Sequence, residues 1–194
     1  MKAVTLLSRH FSTVKQIQTL LSPIRNNTVL TEDSCFQILD LYPDIKTLKK
    51  LHAKIIIDPE LHPNPSIAIK LMRAYAARGE TGVTRHVFDE ITEKNVVFFN
   101  VMIRSYANNH LFRDALLVFK TMSSCGFEPD NYTYPCLLKA CSGLNSLRVG
   151  LQIHGAVVKV GHDSNLFIGN GLVSMDTNRF HHFENGVCSC GDYW

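Results

Sequence analysis

Apolar residues recur three and four positions apart along most of the chain, which is the spacing of a buried stripe on an α-helix. Residues that break helices separate these stretches, and the pattern therefore predicts helix-turn-helix hairpins. The predicted stripes are Ala68, Leu71, Met72, Tyr75; Ala115, Val118, Phe119, Met122; Cys35, Ile38, Leu39, Tyr42; and Tyr134, Leu137, Leu138, Cys141. The predicted turn residues are Pro43, Gly79 with Gly82, Gly126 with Pro129, Gly143 and Gly161.

The hairpins belong to an internal repeat of unequal length. The segment LHAKII at 51–56 returns as IHGAVV at 153–158, 102 residues later. We divide the chain into units at 29–64, 65–95, 96–130 and 131–165, with a partial unit at 166–175. Single hairpins of this length cannot bury their apolar faces alone, so neighbouring hairpins must stack. The predicted fold class is all-α, a superhelical α-solenoid of helix-turn-helix repeats with a short non-helical tail at 176–194.

Composition and charge narrow the classes of function. No apolar run approaches the roughly 20 residues needed to cross a bilayer, so we expect no membrane partner. Four basic residues, Lys2, Arg9, Lys15 and Arg25, precede the first acidic residue, Glu32. Without them, 16 of the 20 basic residues remain against 17 acidic ones, so the rest of the chain has no net positive charge. Binding of nucleic acid must therefore depend on individually placed residues.

The start of the chain is acid-free, basic and rich in hydroxyl groups, which is the composition of an organellar transit peptide. We assign residues 1–28 to such a peptide. The tetrapeptide RHFS at 9–12 resembles a mitochondrial processing site, so the predicted location is the mitochondrion, with the plastid as the alternative. No secretory signal precedes the scattered cysteines 35, 125, 136 and 141, which we expect to be reduced, small buried apolar residues.

The last nineteen residues, DTNRFHHFENGVCSCGDYW at 176–194, combine adjacent histidines with a Cys-x-Cys, and both residue types are zinc ligands. This run resembles the C-terminal end of the DYW domain, the cytidine-deaminase-like module that ends many land-plant pentatricopeptide repeat proteins. The alternating repeat lengths, with LHAK or IHGA in the long units and VFDE at 87–90 in the short one, resemble the PLS subclass of these proteins. The resemblance covers about 29–175 and the tail.

A zinc deaminase requires a His-x-Glu and a Pro-Cys-x-x-Cys. The triplet HFE at 182–184 spells the first motif, but the sequence contains no Cys-x-x-Cys, and the family's catalytic motifs lie in a region missing between Met175 and Asp176. We therefore expect no catalytic residue and no deaminase activity. In the family the terminal run contributes to a second, non-catalytic zinc. Here the candidate zinc ligands are His181 or His182, Cys188 and Cys190. They supply three donors at most, whereas a closed zinc site needs four. No other cofactor is expected.

The resemblance implies binding of single-stranded RNA, one base per repeat, chosen by two side chains. In the unit 96–130 these are Asn100 and Asp130, a pair that favours uridine in the family, and the base would lie between Val97 and Tyr132. The alternative for Asn100 and Asp130 is helix capping and turn formation. The corresponding positions in the other units are less suited to base recognition: Ile69 with Asn95, Pro135 with Asn165, and Asn170 without a partner. We therefore expect the sequence-specific affinity for RNA to be weak.

The predicted partners are single-stranded organellar RNA and other RNA editing factors, and no DNA is expected. Two alternative functions stay open: a helical-repeat scaffold that binds protein within an editing complex, and a non-functional truncated product. His52 and His154 recur in register and could suggest a metal, but their place on apolar helix faces favours packing.

Overall fold

The computed structural model describes residues 30–41, 43–62, 64–161, 166 and 168–173. The predicted transit peptide and the tail with its four candidate zinc ligands lie outside these residues. All regular secondary structure in the described ranges is helical, and the chain divides into two compact units after Glu93. None of the described helices is both long and apolar enough to cross a membrane.

The first unit contains helices α1 (Glu32–Asp40), α2 (Ile45–Ile57), α3 (Pro65–Ala76) and α4 (Thr81–Glu90). Polar side chains cap the first three, because Thr31, Asp44 and Asn64 each accept backbone N–H groups that have no partner within the helix. Helix α3 packs against the other three helices and so contributes to the core of this unit. That core includes the fully buried Ile38, Leu48, Leu51, Ile67 and Tyr75.

The second unit contains α5 (Val96–Asn108), α6 (Phe112–Ser124), α7 (Thr133–Gly143) and α8 (Leu147–Val160). Residues 168–173 are also helical. Helices α5 and α6 form one hairpin, α7 packs on both of them, and α8 pairs with α7. Each of the four predicted repeats thus contains two helices. The prediction of an all-α fold built from helix-turn-helix repeats is confirmed for the described residues.

The predicted apolar stripes face the interior. All of their described members are buried except Ala68 and Phe119, which are half-buried, and Tyr42 lies outside the described residues. Helical periodicity identified these faces because the core of each unit is formed by one side of each helix.

Three of the predicted turn glycines adopt positive φ, at Gly79 (75°), Gly126 (81°) and Gly161 (77°). Gly82 and Gly143 lie at helix ends next to the turns, since Gly82 is the second residue of α4 and Gly143 is the last residue of α7. Gly143 also leaves space for a neighbouring ring. A Cβ atom there would lie 2.1 Å from Cε2 of Phe112, so any larger residue would displace the Phe112 ring in the first turn of α6.

The scattered cysteines are free thiols in two environments. Cys35, Cys136 and Cys141 are buried as predicted, and burial raises the pKa of Cys35 and Cys141 to about 12. Cys125 is exposed, because it follows the last turn of α6 and lies in the loop before α7, so the prediction of a buried residue was wrong for it. Burial keeps the thiols of the first group protonated and unreactive.

Candidate nucleic-acid interface

The interface predicted from the sequence starts at the first turn of α5. Asn95 caps this helix, since its Oδ1 accepts the N–H groups of Val97 at 3.0 Å and Phe98 at 3.4 Å. Asn100 follows one turn later and is half-buried, which leaves its amide within reach of a ligand. The Val97 side chain is 41% exposed, although it is apolar.

The second part of this interface is the turn that leads into α7. Oδ1 of Asp130 accepts the N–H groups of Tyr132 at 2.9 Å and Thr133 at 3.0 Å. In return, Oγ1 of Thr133 accepts the N–H of Asp130 at 3.0 Å. This reciprocal arrangement resembles a capping box, and it holds together the turn that precedes α7, whose own N-cap position is Tyr132.

Asn100 and Asp130 are in direct contact, although thirty residues separate them. Nδ2 of Asn100 lies 3.0 Å from each carboxylate oxygen of Asp130. A carboxylate only accepts hydrogen bonds, so it holds the amide of Asn100 with its nitrogen toward Asp130. The capping alternative was wrong for Asn100, which lies within α5. For Asp130 the structure shows turn formation, because its carboxylate accepts N–H groups in the turn before α7 and also holds Asn100.

Thr133 is a third member of this contact, and the sequence reasoning missed it. Its hydroxyl lies 2.6 Å from Oδ1 of Asn100 and 2.9 Å from Oδ1 of Asp130, so its single proton can be donated to either oxygen. The side chain is completely buried. The sequence carried a signal for it, because Asp130 and Thr133 have the spacing of a capping box.

The network leaves Asn100 with hydrogen-bonding capacity for a ligand. One N–H directed between the two oxygens of Asp130 satisfies both distances, which leaves the second N–H as a donor beside the carbonyl acceptor. Tyr132, next to this site in the sequence, is 69% exposed. A planar ligand with an acceptor next to a donor would match the amide, and apolar side chains suit the two faces of such a ring.

The other predicted positions lack such a network. Ile69 is half-buried and has no polar group, and Asn95 acts as the cap of α5. Pro135 is half-buried and apolar, Asn165 lies outside the described residues, and Asn170 is exposed.

The recurring histidines both lie half-buried on helices. His52 is half-buried, its Nδ1 lies 3.1 Å from the hydroxyl of Tyr75, and burial lowers its pKa. His154 is half-buried on α8. Among the described residues, no group of three or more potential ligands is placed to hold a metal ion. Packing is therefore the role that the structure shows for His52.

Two family models match the chain. The PPR repeat family matches residues 94–143, and the DYW family of nucleic acid deaminases matches residues 138–194. The first match contains Asn100, Asp130 and Thr133, and the second contains the run at 176–194.

Curated relatives come from Arabidopsis thaliana. One pentatricopeptide repeat-containing protein is 52% identical over 139 residues, which cover 72% of this chain and 20% of the relative. A second is 34% identical over 158 residues, which cover 80% of this chain and 23% of the relative. A third, described as chloroplastic, is 36% identical over 117 residues, which cover 59% of this chain and 22% of the relative. The chain therefore spans about a fifth of the length of these relatives.

Proposed function

Because the chain belongs to the plant pentatricopeptide repeat family and has a DYW-type C-terminus, we propose that it binds single-stranded RNA in an organelle. Its unit at 96–130 binds one base and prefers uridine. We call Asn100 and Asp130 the base-recognition pair. The observation that carries the proposal is the contact between them, because it gives the Asn100 amide one orientation.

Uridine is favoured for a geometric reason. At adjacent positions of its pairing edge, uracil presents an acceptor and then a donor, whereas cytosine presents a donor and then an acceptor. An amide held in one orientation matches only one of these orders for a given placement of the ring. Turning the amide over to fit cytosine would direct Oδ1 of Asn100 at the Asp130 carboxylate, and two acceptors repel each other.

The direct test is the affinity of the full chain for fluorescent oligouridine and oligocytidine, measured by anisotropy. We expect tighter binding of oligouridine and loss of that preference in Asn100→Ala. Gln152→Ala removes an exposed amide from α8 and serves as the matched control. Only one complete base-recognition pair is present, so the preference should be modest. Equal binding of both oligonucleotides, or an unchanged preference in Asn100→Ala, would contradict the proposal and favour the protein-binding scaffold.

In this proposal the chain binds RNA but does not deaminate it, since its sequence contains no Cys-x-x-Cys to complete a catalytic zinc site. His181, His182, Cys188 and Cys190 form at most an incomplete zinc site. We expect less than one zinc per chain by elemental analysis and no conversion of cytidine to uridine. Zinc-dependent turnover would refute this part. Sequencing the native transcript across Met175 and Asp176 tests the internal deletion.

The organelle is proposed to be the mitochondrion, with the plastid as the alternative. The basic, acid-free segment before Glu32 supports import into an organelle, and the chloroplastic relative keeps the plastid open. A fluorescent protein fused behind residues 1–31 should co-localise with a mitochondrial dye. Plastid fluorescence would select the alternative, and a cytosolic signal would contradict both.

A further inference from the structure

Two cationic side chains lie one helical turn beyond the positions aligned with base recognition. Arg104 follows Asn100 by four residues on α5, and Lys139 follows Pro135 by four residues on α7. Residues four apart lie on the same face of a helix. Both cations are exposed, and each is the ninth residue of its repeat. The second unit therefore presents one cation per repeat next to each base position.

Both cations act electrostatically on the buried thiol of Cys136, which lies on α7. The Arg104 side chain is hydrogen-bonded to the Cys136 thiol, and the charges of Arg104 and Lys139 partly offset the burial that raises its pKa. Lys139 also reaches from α7 to α5, where its Nζ donates to Oδ1 of Asn108 at 2.9 Å. Arg104 and Lys139 thus lie along the seam between α5 and α7, on the side that carries Asn100.

Among the described residues, no carboxylate forms an ion pair with either cation. In the ranges that the structure covers, the ion pairs involve other residues, and no carboxylate oxygen lies within 4 Å of Arg104 or Lys139. A buried or paired cation would be a structural group, whereas an exposed, unneutralised one is available to an anionic ligand.

The first unit, taken by itself, has a cation at the same register. Arg73 is the ninth residue of the unit 65–95, lies on α3 four residues after Ile69, and is exposed. Three successive repeats therefore carry Arg, Arg and Lys at one position, although the chain after its first 31 residues has no excess of basic over acidic residues. Composition alone does not explain this placement.

We propose that Arg104 and Lys139 bind consecutive backbone phosphates of single-stranded RNA, and that Arg73 marks the same phosphate position in the preceding repeat. This inference rests on the proposed RNA binding. A nucleotide carries one phosphate and one base, so a repeat that binds one base needs one cation for the backbone. Phosphate contacts contribute affinity for every sequence, whereas the Asn100 amide selects the base.

The test is the salt dependence of oligouridine binding. For single strands, each phosphate contact contributes a slope of about −0.7 to the plot of log affinity against log salt concentration. Arg104→Gln combined with Lys139→Gln should make the slope less steep by about 1.4 and weaken binding about 25-fold at 0.1 M salt. Oligouridine and oligocytidine should lose affinity by the same factor, so the preference for uridine should persist.

Two further variants make the result specific. Arg148→Gln with Lys159→Gln removes the same charge from exposed positions of α8 and should change the slope much less. Arg104→Lys with Lys139→Arg keeps the charges and should keep the slope. Circular dichroism verifies that all variants are folded.

The outcomes separate this inference from the proposed function. If the wild-type chain binds no RNA, both fail. If it prefers uridine but the Arg104→Gln, Lys139→Gln variant keeps the wild-type slope, the phosphate site alone is refuted. Loss of the uridine preference in that variant, or an equal change in the α8 control, would also refute it.

Discussion

Thr133→Val is the sharpest perturbation of the candidate interface. Valine has nearly the same shape as threonine, so the substitution removes the hydroxyl and leaves the packing of the buried position intact. Three groups lose this partner: the N–H of Asp130 at 3.0 Å, Oδ1 of Asn100 at 2.6 Å, and Oδ1 of Asp130 at 2.9 Å, which keeps its other donors. The predicted effects are a loss of stability and a looser Asn100 amide.

The magnitude follows from the burial of these groups. A buried polar group left without a partner costs about 1–3 kcal/mol. Asn100 and Asp130 are half-buried, so water replaces part of the lost bonding, and we expect Thr133→Val to lower the free energy of unfolding by about 1–2 kcal/mol. With a urea dependence of about 2 kcal/mol per molar, the midpoint should fall by about 0.5–1 M.

The assay is urea unfolding followed by circular dichroism, combined with the oligonucleotide binding described above. Thr133→Ser keeps the hydroxyl and should keep the preference for uridine, whereas Thr133→Val should weaken it. In an Asn100→Ala background, Thr133→Val should cost less, because the contact with Oδ1 is already gone. An unchanged midpoint in Thr133→Val, or the same cost in both backgrounds, would refute the role of the hydroxyl in this network.

Three further predictions address the two units. Gly143→Ala should destabilise the chain by about 1–3 kcal/mol in urea unfolding, because its Cβ would overlap the Phe112 ring. Gly155→Ala has open space around it and should stabilise α8 by up to about 1 kcal/mol, so equal effects of the two substitutions would contradict the steric argument. Burial lowers the pKa of His52, so below about pH 6.5 the unfolded chain binds a proton that the folded chain does not. The free energy of unfolding should therefore fall as the pH drops below about 6.5, and it should fall less steeply in His52→Gln. Iodoacetamide should label Cys125 in the native protein and leave Cys35, Cys136 and Cys141 unmodified until urea is added, as read by peptide mass spectrometry; early labelling of Cys141 would disagree with its burial.

Much of the fold was predictable from the sequence because its determinants are local. Apolar spacing located the buried faces of the helices, and the side chains that cap them, such as Asn64 and Asn95, act on backbone groups two or three residues away. What the sequence did not show were contacts with distant neighbours. Gly143 ends α7 next to a turn, as its residue type suggests, but the closeness of the Phe112 ring could not be read from the sequence.

The candidate interface divides in the same way. Resemblance to the family pointed to Asn100 and Asp130, and the structure places them in contact, while their role in binding RNA stays a prediction. Thr133 was missed because its spacing from Asp130 indicates a cap and says nothing about Asn100, which lies 33 residues earlier.

The sequence by itself indicated the family and predicted the repeat units, and it shows that these 194 residues contain no Cys-x-x-Cys. Periodicity and motif spacing carry that information, since they involve residues close together in the chain. Only the tertiary structure decided that Thr133 joins Asn100 to Asp130, and that Lys139 of α7 reaches Asn108 of α5. These arrangements depend on how α7 packs against α5, and the contacts of two packed helices are set by the side chains of both.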